Sequence, residues 1–323
     1  MMKRGFLCIL TLILLCVSLA GCGGSGDGVT LDTIHVGTAG STGSYYSFCQ
    51  AAGIVLEQHT DYTFDIATSG GSRANIESLV AGTFDMAIVQ NDVMSYAYNG
   101  VDMFNEKIQG FSVVGVIFPE ALQVVTKANS GINRVADLAG KRVSVGDAGS
   151  GSEFNARQVL GVAGIDMATG LNKQNLGYGD SASAIKDGTL DAYFCVAPAP
   201  ATHVSELTTT TDVKLVSLSD DLRKKLKETY TFYIDTTITH EQYSFIPADD
   251  PVETVGVAAT LIISNDISTE QVYNITKALW ENKDSITHAK VAEMDLNNAC
   301  TALGGVPLHP GAEQYYREIG LLK

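Results

Sequence analysis

The chain predicts an α/β fold built as two similar lobes around largely parallel sheets, and three observations carry that prediction. Strand-like and helix-like stretches alternate from Ile34 to about Lys227. Three times, an apolar strand-like run breaks into a glycine/serine loop and then opens an amphipathic helix: 34–38 into 39–44, 64–67 into 68–72, and 143–145 into 146–152. A short motif also recurs. Gly-Thr-Phe-Asp-Met-Ala (82–87) and Gly-Thr-Leu-Asp-Ala-Tyr (188–193) each follow a helix end and place an aspartate at the start of an apolar strand.

The first lobe is expected to begin with strand 34–38, helix 44–58, strand 63–67 and helix 72–82. Ile76, Leu79 and Val80 put apolar groups at i, i+3 and i+4 of that second helix, and Gly82 stops it. Strand 85–89, helix 91–98 and strand 113–118 follow. A crossover strand at 122–126 leads to the second set: helix 134–139, strand 142–146, helix 151–163, strand 174–177, helix 180–187, strand 190–195, helix 198–207 and strand 213–216. After about Arg223 the pattern changes to a tyrosine-rich stretch (Tyr230, Tyr233, Tyr243), followed by an apolar strand at 255–263. Helices at 268–282, 284–300 and 309–320 close the chain. Strands 122–126 and 255–263 predict a two-stranded hinge, with the C-terminal helices packed back on lobe one. The expected division is therefore lobe one at 33–122 plus 255–323 and lobe two at 123–254.

Residues 1–22 read as a secretion signal. Lys3 and Arg4 precede an apolar run, and Leu19-Ala20-Gly21-Cys22 supplies a small-residue cleavage site resembling a bacterial lipobox, with Cys22 as the lipidated residue. A glycine-rich tether at 23–32 follows. Losing Lys3 and Arg4 takes the formal charge from −15 to −17, so nucleic acid is a poor partner and an anion site must work locally through backbone donors. With 45% apolar and 18% charged residues the chain is of the compact globular type. Cys49, Cys195 and Cys300 show no metal spacing and are expected as buried free thiols.

The three loops carry the functional expectation. A helix N-terminus has unpaired N–H groups and a partial positive charge, which suits a carboxylate or another small anion. The ligand-binding candidates are Ser41, Thr42, Ser44 and Tyr45 at the first helix start, Ser72 and Arg73 at the second, Gln90 at a strand end, and Gly149, Ser150, Gly151 and Ser152 facing them from lobe two. Arg73 reads either as a solvated first-turn side chain or as a bidentate carboxylate clamp. Glu120 and Gln123 flank the hinge; Glu120 reads either as a partner for a ligand ammonium or as a solvated surface carboxylate, the latter preferred, and Asp92 reads as a helix cap. His35 is placed on a core strand, and His59, His203, His240, His288 and His309 at the surface or in turns.

In order, the lipobox, Gly-x-x-Gly-Ser-x-Gly-Ser-Tyr-Tyr (37–46), Ser-Gly-Gly-Ser-x-x-Asn (69–75), Gly-Thr-x-Asp-x-Ala-x-x-Gln-x-Asp (82–92), the Asp137-to-Ser152 glycine/serine run and Asp-Gly-Thr-Leu-Asp-Ala-Tyr-Phe (187–194) resemble the TAXI-type solute receptors of tripartite ATP-independent periplasmic (TRAP) transporters. The resemblance implies a two-lobed, type II-like periplasmic-binding-protein fold. It also implies closure on an extracytoplasmic carboxylate such as glutamate or glutamine, and delivery to TRAP permease subunits. Two departures stand out. Cys195-Val196-Ala197-Pro198 replaces an expected Gly-x-Pro, and Arg73 takes a place where a small or apolar residue is common.

Catalysis has no support in the sequence. Gly149-Ser150-Gly151-Ser152 is not a Gly-x-Ser-x-Gly elbow, no P-loop lysine follows a glycine loop, and the histidines lack metal spacing. The expectation is a non-enzyme without cofactor or metal, monomeric, touching the membrane by its lipid alone, and periplasmic in a Gram-negative cell. The alternatives are a receptor for an ATP-driven importer of sulfonates or thiamine precursors, and a periplasmic sensor for a histidine kinase.

Overall fold

The computed structural model describes residues 28–323; the signal segment, Cys22 and residues 23–27 lie outside the described residues. Of the expected tether, Val29 is tied to the body: its N–H donates to Asp266 O at 2.6 Å and its carbonyl accepts from Ser268 N at 2.9 Å.

Lobe one opens with β1 (Thr33–Gly37), α1 (Ser44–His59), β2 (Thr63–Ala67), α2 (Ser72–Val80), β3 (Met86–Gln90) and α3 (Asn91–Asn99). β1 pairs in parallel with both β2 and β3. Helix α1 buries Tyr45, Phe48, Cys49, Ala52, Val55 and Leu56, the spacing of one helical face. The chain then enters β4 (Phe111–Lys127), one continuous 17-residue strand where two separate ones were expected. Lobe two contains β5 (Arg142–Ser144), α4 (Gly151–Val162), β6 (Asn172–Gln174), α5 (Tyr178–Asp187), β7 (Ala192–Ala197), α6 (Thr202–Thr208), β8 (Val213–Leu215), α7 (Asp220–Thr229) and β9 (Ile234–Ile238). The 13-residue β10 (Val252–Ser264) returns to lobe one, where α8 (Thr269–Glu281) and α9 (Pro310–Glu318) finish the chain.

The strand order is β2-β1-β3-β10-β4-β7-β5-β6, with β8 on β4 and β9 on β10. The antiparallel pair β4/β10 thus runs through both lobes. Its lobe-one halves meet in the register Val116↔Thr260, and the lobe-two half of β4 pairs with β7 from Ala121 to Thr126. Apolar cores cover both faces of each lobe's sheet. In lobe one, Phe48, Ile117, Trp280 and Tyr316 fill one side, and Ile76, Val89, Met94 and Phe111 fill the other. In lobe two the same division holds for Val124, Leu160 and Phe194 against Ile185, Tyr193 and Val204. The two-lobed α/β architecture is therefore the expected one, with α8 and α9 on lobe one.

The repeated aspartate has a structural cause. Asp85 Oδ2 accepts from His35 N at 2.8 Å, and Asp191 Oδ2 accepts from Arg142 N at 2.8 Å. In each lobe the motif pins the first residues of a neighbouring parallel strand. The Arg142 guanidinium adds a second bond to Asp191 at 2.6 Å, which holds that carboxyl below the usual range.

Several expectations are corrected. Residues 284–300 form three short 3₁₀ turns, Lys283–Ser285, Ala289–Glu293 and Leu296–Asn298, because His288 and Asp295 spend their side chains on nearby backbone N–H groups. The segment 134–139 is likewise a 3₁₀ turn, Val135–Leu138. Strand 174–177 lies two residues earlier, where Asn172 and Gln174 pair with β5. Helix 198–207 starts only at Thr202, since Pro198 and Pro200 hold the residues before them out of the helical region. The tyrosine-rich stretch after Arg223, for which the sequence predicts no element before strand 255–263, holds β9. His35 is exposed beside Asp65, while His203 and His309 are buried.

Candidate functional site

Between the lobes, the starts of α1, α2, α4 and α5 point at one cavity, together with the end of β3 and the hinge residue Glu120. The volume open to the centre of a water molecule is about 50 Å³, several times the ~10–15 Å³ that one water needs. That suits a compact solute. The N-cap residues of α1, α2, α3 and α5 are Gly43, Gly71, Gln90 and Gly177, and none of their side chains caps its helix. Only α4 is capped from within, Ser150 Oγ accepting from Glu153 N at 3.1 Å. Gly71 has φ +94°, a conformation that glycine adopts without strain.

Of the expected residues, Thr42, Ser44, Tyr45, Ser72, Gln90, Ser150, Gly151 and Ser152 line this cavity. Ser41, Arg73 and Gly149 do not. Ser41 is exposed in the turn before α1. Gly149 donates its N–H to Glu153 Oε2 at 2.7 Å. Arg73 lies outside the wall as a half-exposed first-turn side chain: its guanidinium pairs with Glu77 at 2.7 Å and lies over Phe104, 5.5 Å from the ring centre.

The polar groups of the wall are held by one another. Ser72 Oγ accepts from Gln90 N at 3.0 Å, and Asn75, one turn on, donates to Thr38 O and Ile88 O, fixing the strand ends. Ser152 Oγ accepts from Val196 N at 3.1 Å and pairs with the Tyr178 hydroxyl, which also donates to Val196 O at 2.9 Å. The departure at 195–198 thus supplies backbone to the wall through Val196 and Ala197.

Glu120 was misread as a surface group. It is 2% exposed and accepts from the Tyr45 hydroxyl at 2.6 Å. Burial, opposed by that bond and reinforced by Asp92, pushes its carboxyl up to about 8. Two further wall residues were missed, Asp147 and Tyr178. Asp147 is raised by burial and by Asp180 nearby. Tyr178 opens α5 directly after a glycine, as Tyr45 nearly does in α1, and that shared pattern was the available signal. Behind it His203 stacks on the Tyr178 ring at 4.7 Å between centres, its imidazole lowered to about 4 by burial.

The lobes meet closely. A Cβ on Gly179 would fall 3.0 Å from Thr42 Cγ2 in the other lobe, and one on Gly151 would fall 1.9 Å from Gln90 Oε1. Beside the cavity, α3 and α4 share a buried polar network. Asn155 donates to Asp92 Oδ2 and to the Tyr233 hydroxyl, both at 2.8 Å, and Gln158 donates to Tyr96 at 3.2 Å and Asp102 at 3.0 Å. Asp92, expected to cap α3, instead lies within its first turn, one residue after the start and behind the N-cap Gln90, and accepts from the adjacent Val93 N at 2.8 Å. Burial raises its carboxyl to about 6 against the pull of Asn155. Lys290, itself buried, adds a further cross-lobe bond to Ala199 O at 2.6 Å.

Solved structures of similar fold include binding proteins. A substrate-binding protein of an amino acid ABC transporter is 14% identical over 80% of this chain and 97% of its own, with a TM-score of 0.50. An ancestral arginine-binding protein bound to arginine is 18% identical over 82% of this chain and 98% of its own, at 0.51. A protein from Bordetella bronchiseptica RB50 is 17% identical over 90% and 81%, at 0.54. These likenesses establish the two-lobed architecture. Kinship at the level of sequence comes from a family profile matching residues 36–320, which takes in both lobes, the hinge and every wall residue of the cleft, so the chain belongs to the NMT1-like family.

Proposed function

We propose that this protein is an extracytoplasmic solute receptor that binds a small carboxylate between its lobes and hands it to a membrane permease. The observation that carries this reading is the convergence of helix starts α1, α2, α4 and α5 on one interlobe cavity, three of them with no side-chain cap. Their N–H groups and dipoles favour a carboxylate without any cationic side chain. Closure brings donors from both lobes onto the solute, which stabilises the closed form by the contacts found only there. Every ionisable side chain on the wall is an acid, namely Tyr45, Glu120, Asp147 and Tyr178. Among the expected cargoes this favours an amino acid, whose ammonium balances its carboxylate, over a plain dicarboxylate.

The motif series supports delivery to a TRAP permease, the lipobox supports anchoring through Cys22, and the hinge pairing supports lobe boundaries at 122/123 and 254/255. Delivery to an ATP-driven importer is the second reading, favoured by the fold shared with the amino acid ABC receptor. Mass spectrometry of solute released from the gently denatured protein, followed by calorimetric titration with glutamate, glutamine, 2-oxoglutarate and succinate, tests the receptor reading. A stoichiometric carboxylate supports it. A folded protein that carries none and ignores all four sinks it.

A further inference from the structure

Gln90 occupies an unusual place in the cleft. It ends β3, its N–H is fixed by Ser72, and its side chain is 3% exposed. Its Oε1 is enclosed and without a hydrogen-bond partner among the described residues, although buried acceptors are nearly always paired. What Oε1 faces is the first residue of the 12-residue helix α4, in the opposite lobe. A Cβ on Gly151 would lie 1.9 Å from Oε1 and 2.9 Å from Nε2, so the carbonyl end of the amide is turned toward Gly151 and the amino end away from it. The contact is one of close packing: Oε1 lies against Gly151 and accepts from none of the N–H groups of α4. Ser150 serves only Glu153 N, which leaves the earlier N–H groups of α4 to be met from outside the helix.

Building on the receptor reading above, we infer that Gln90 couples solute binding to closure: its amide packs on Gly151 of the far lobe only when the lobes are shut, while Nε2 donates to the carboxylate of the solute. One amide then touches both the cargo and the far lobe. Gly151 is glycine because any side chain there would strike the amide before the lobes met. Gln90 is in this sense a positioning residue for the closed state as well as a contact for the cargo.

The test is a two-residue cycle in the purified protein, comparing wild type, Gln90→Ala, Gly151→Ala and the double variant. Each is titrated calorimetrically with glutamine and glutamate, and its compaction on ligand addition is followed by small-angle X-ray scattering. Alanine suits the first turn of a helix better than glycine, so Gly151→Ala is expected to leave the fold intact while losing about 100-fold in affinity and failing to compact. Gln90→Ala is expected to lose about tenfold. The double variant should bind and compact like Gln90→Ala alone, because removing the amide removes the clash. Additive losses in the double variant, or unchanged binding in Gly151→Ala, overturn the coupling role while leaving the receptor reading intact. If wild type binds neither amino acid nor the other carboxylates named above, the receptor reading fails and takes this inference with it.

Discussion

Inside the cleft the Tyr45 hydroxyl donates to Glu120 Oε2 at 2.6 Å, joining two buried side chains that stand 75 residues apart in sequence. The bond stabilises a charge on Glu120 but is outweighed by burial, so the carboxyl holds its proton up to about pH 8. The unfolded chain releases that proton near the ordinary value of 4.5. Within that window the folded state binds more protons, and stability must fall as pH rises.

The first prediction uses the upper part of this window, because Asp92 at about 6 titrates below it and His203, at about 4 folded and 6.5 unfolded, adds only a small opposing rise at its lower edge. Between pH 6.5 and 8 the wild type should lose about 1–2 kcal/mol of unfolding free energy. Glu120→Gln should flatten this slope and match or exceed wild type at pH 8. Urea midpoints at the two pH values decide it, and an unchanged slope in the variant rules Glu120 out as its source.

Ser72 serves Gln90 before it serves any solute. Ser72→Ala leaves the buried Gln90 N–H without its acceptor and should cost about 1–3 kcal/mol. Because it also frees Gln90 to shift, solute affinity should fall with it, whereas Ser72→Thr should retain most of both. Chemical denaturation and calorimetry on the same samples test this pairing of effects.

Asn155 holds the Asp92 carboxylate across the lobe boundary. Removing it in Asn155→Ala leaves a buried charge short of a donor, an expected loss of ~1–3 kcal/mol. Above pH 6 Asp92 is ionised, so the loss should be larger at pH 8 than at pH 5, where the carboxyl is neutral. A loss independent of pH would assign the effect to packing instead.

Asp191 and Asp85 perform the same task in the two lobes, but Asp191 carries Arg142 in addition. Asp191→Ala should therefore destabilise more than Asp85→Ala, by about 0.5–1 kcal/mol since the ion pair is partly exposed. That difference should shrink in high salt. Thermal melts of both variants with and without 1 M sodium chloride (on the order of a 3 Å screening length) provide the comparison.

These aspartates also show what the sequence makes legible. The Gly-Thr-x-Asp repeat, the alternation of apolar runs and the glycine/serine loops are local patterns with local causes, and the lobes and most of the cavity wall follow from them. Glu120 is different. It falls between the expected strands 113–118 and 122–126, where a connecting segment at the hinge reads as exposed, and its burial comes from the meeting of β4 with β10 and with Tyr45 from another element. His203 follows Pro198 and Pro200 and looks like a turn residue until Tyr178 stacks on it. Arg73 fails in the other direction, since a glutamate one turn later in its own helix claims it. Side chains whose partners are remote, or whose partner is a better local one, are the ones a linear reading misplaces.

The shared strands carry a last consequence. Because β4 and β10 run on from one lobe into the other, the cores of lobe one draw on both ends of the chain, and the segment that holds the cores of lobe two begins and ends inside those two strands. Cutting anywhere between them strips a strand from both halves of the molecule. Heat should accordingly melt the protein in a single calorimetric step, and a protease that nicks one lobe should bring down the other. The same two ribbons that join the halves bind them into one cooperative unit of folding.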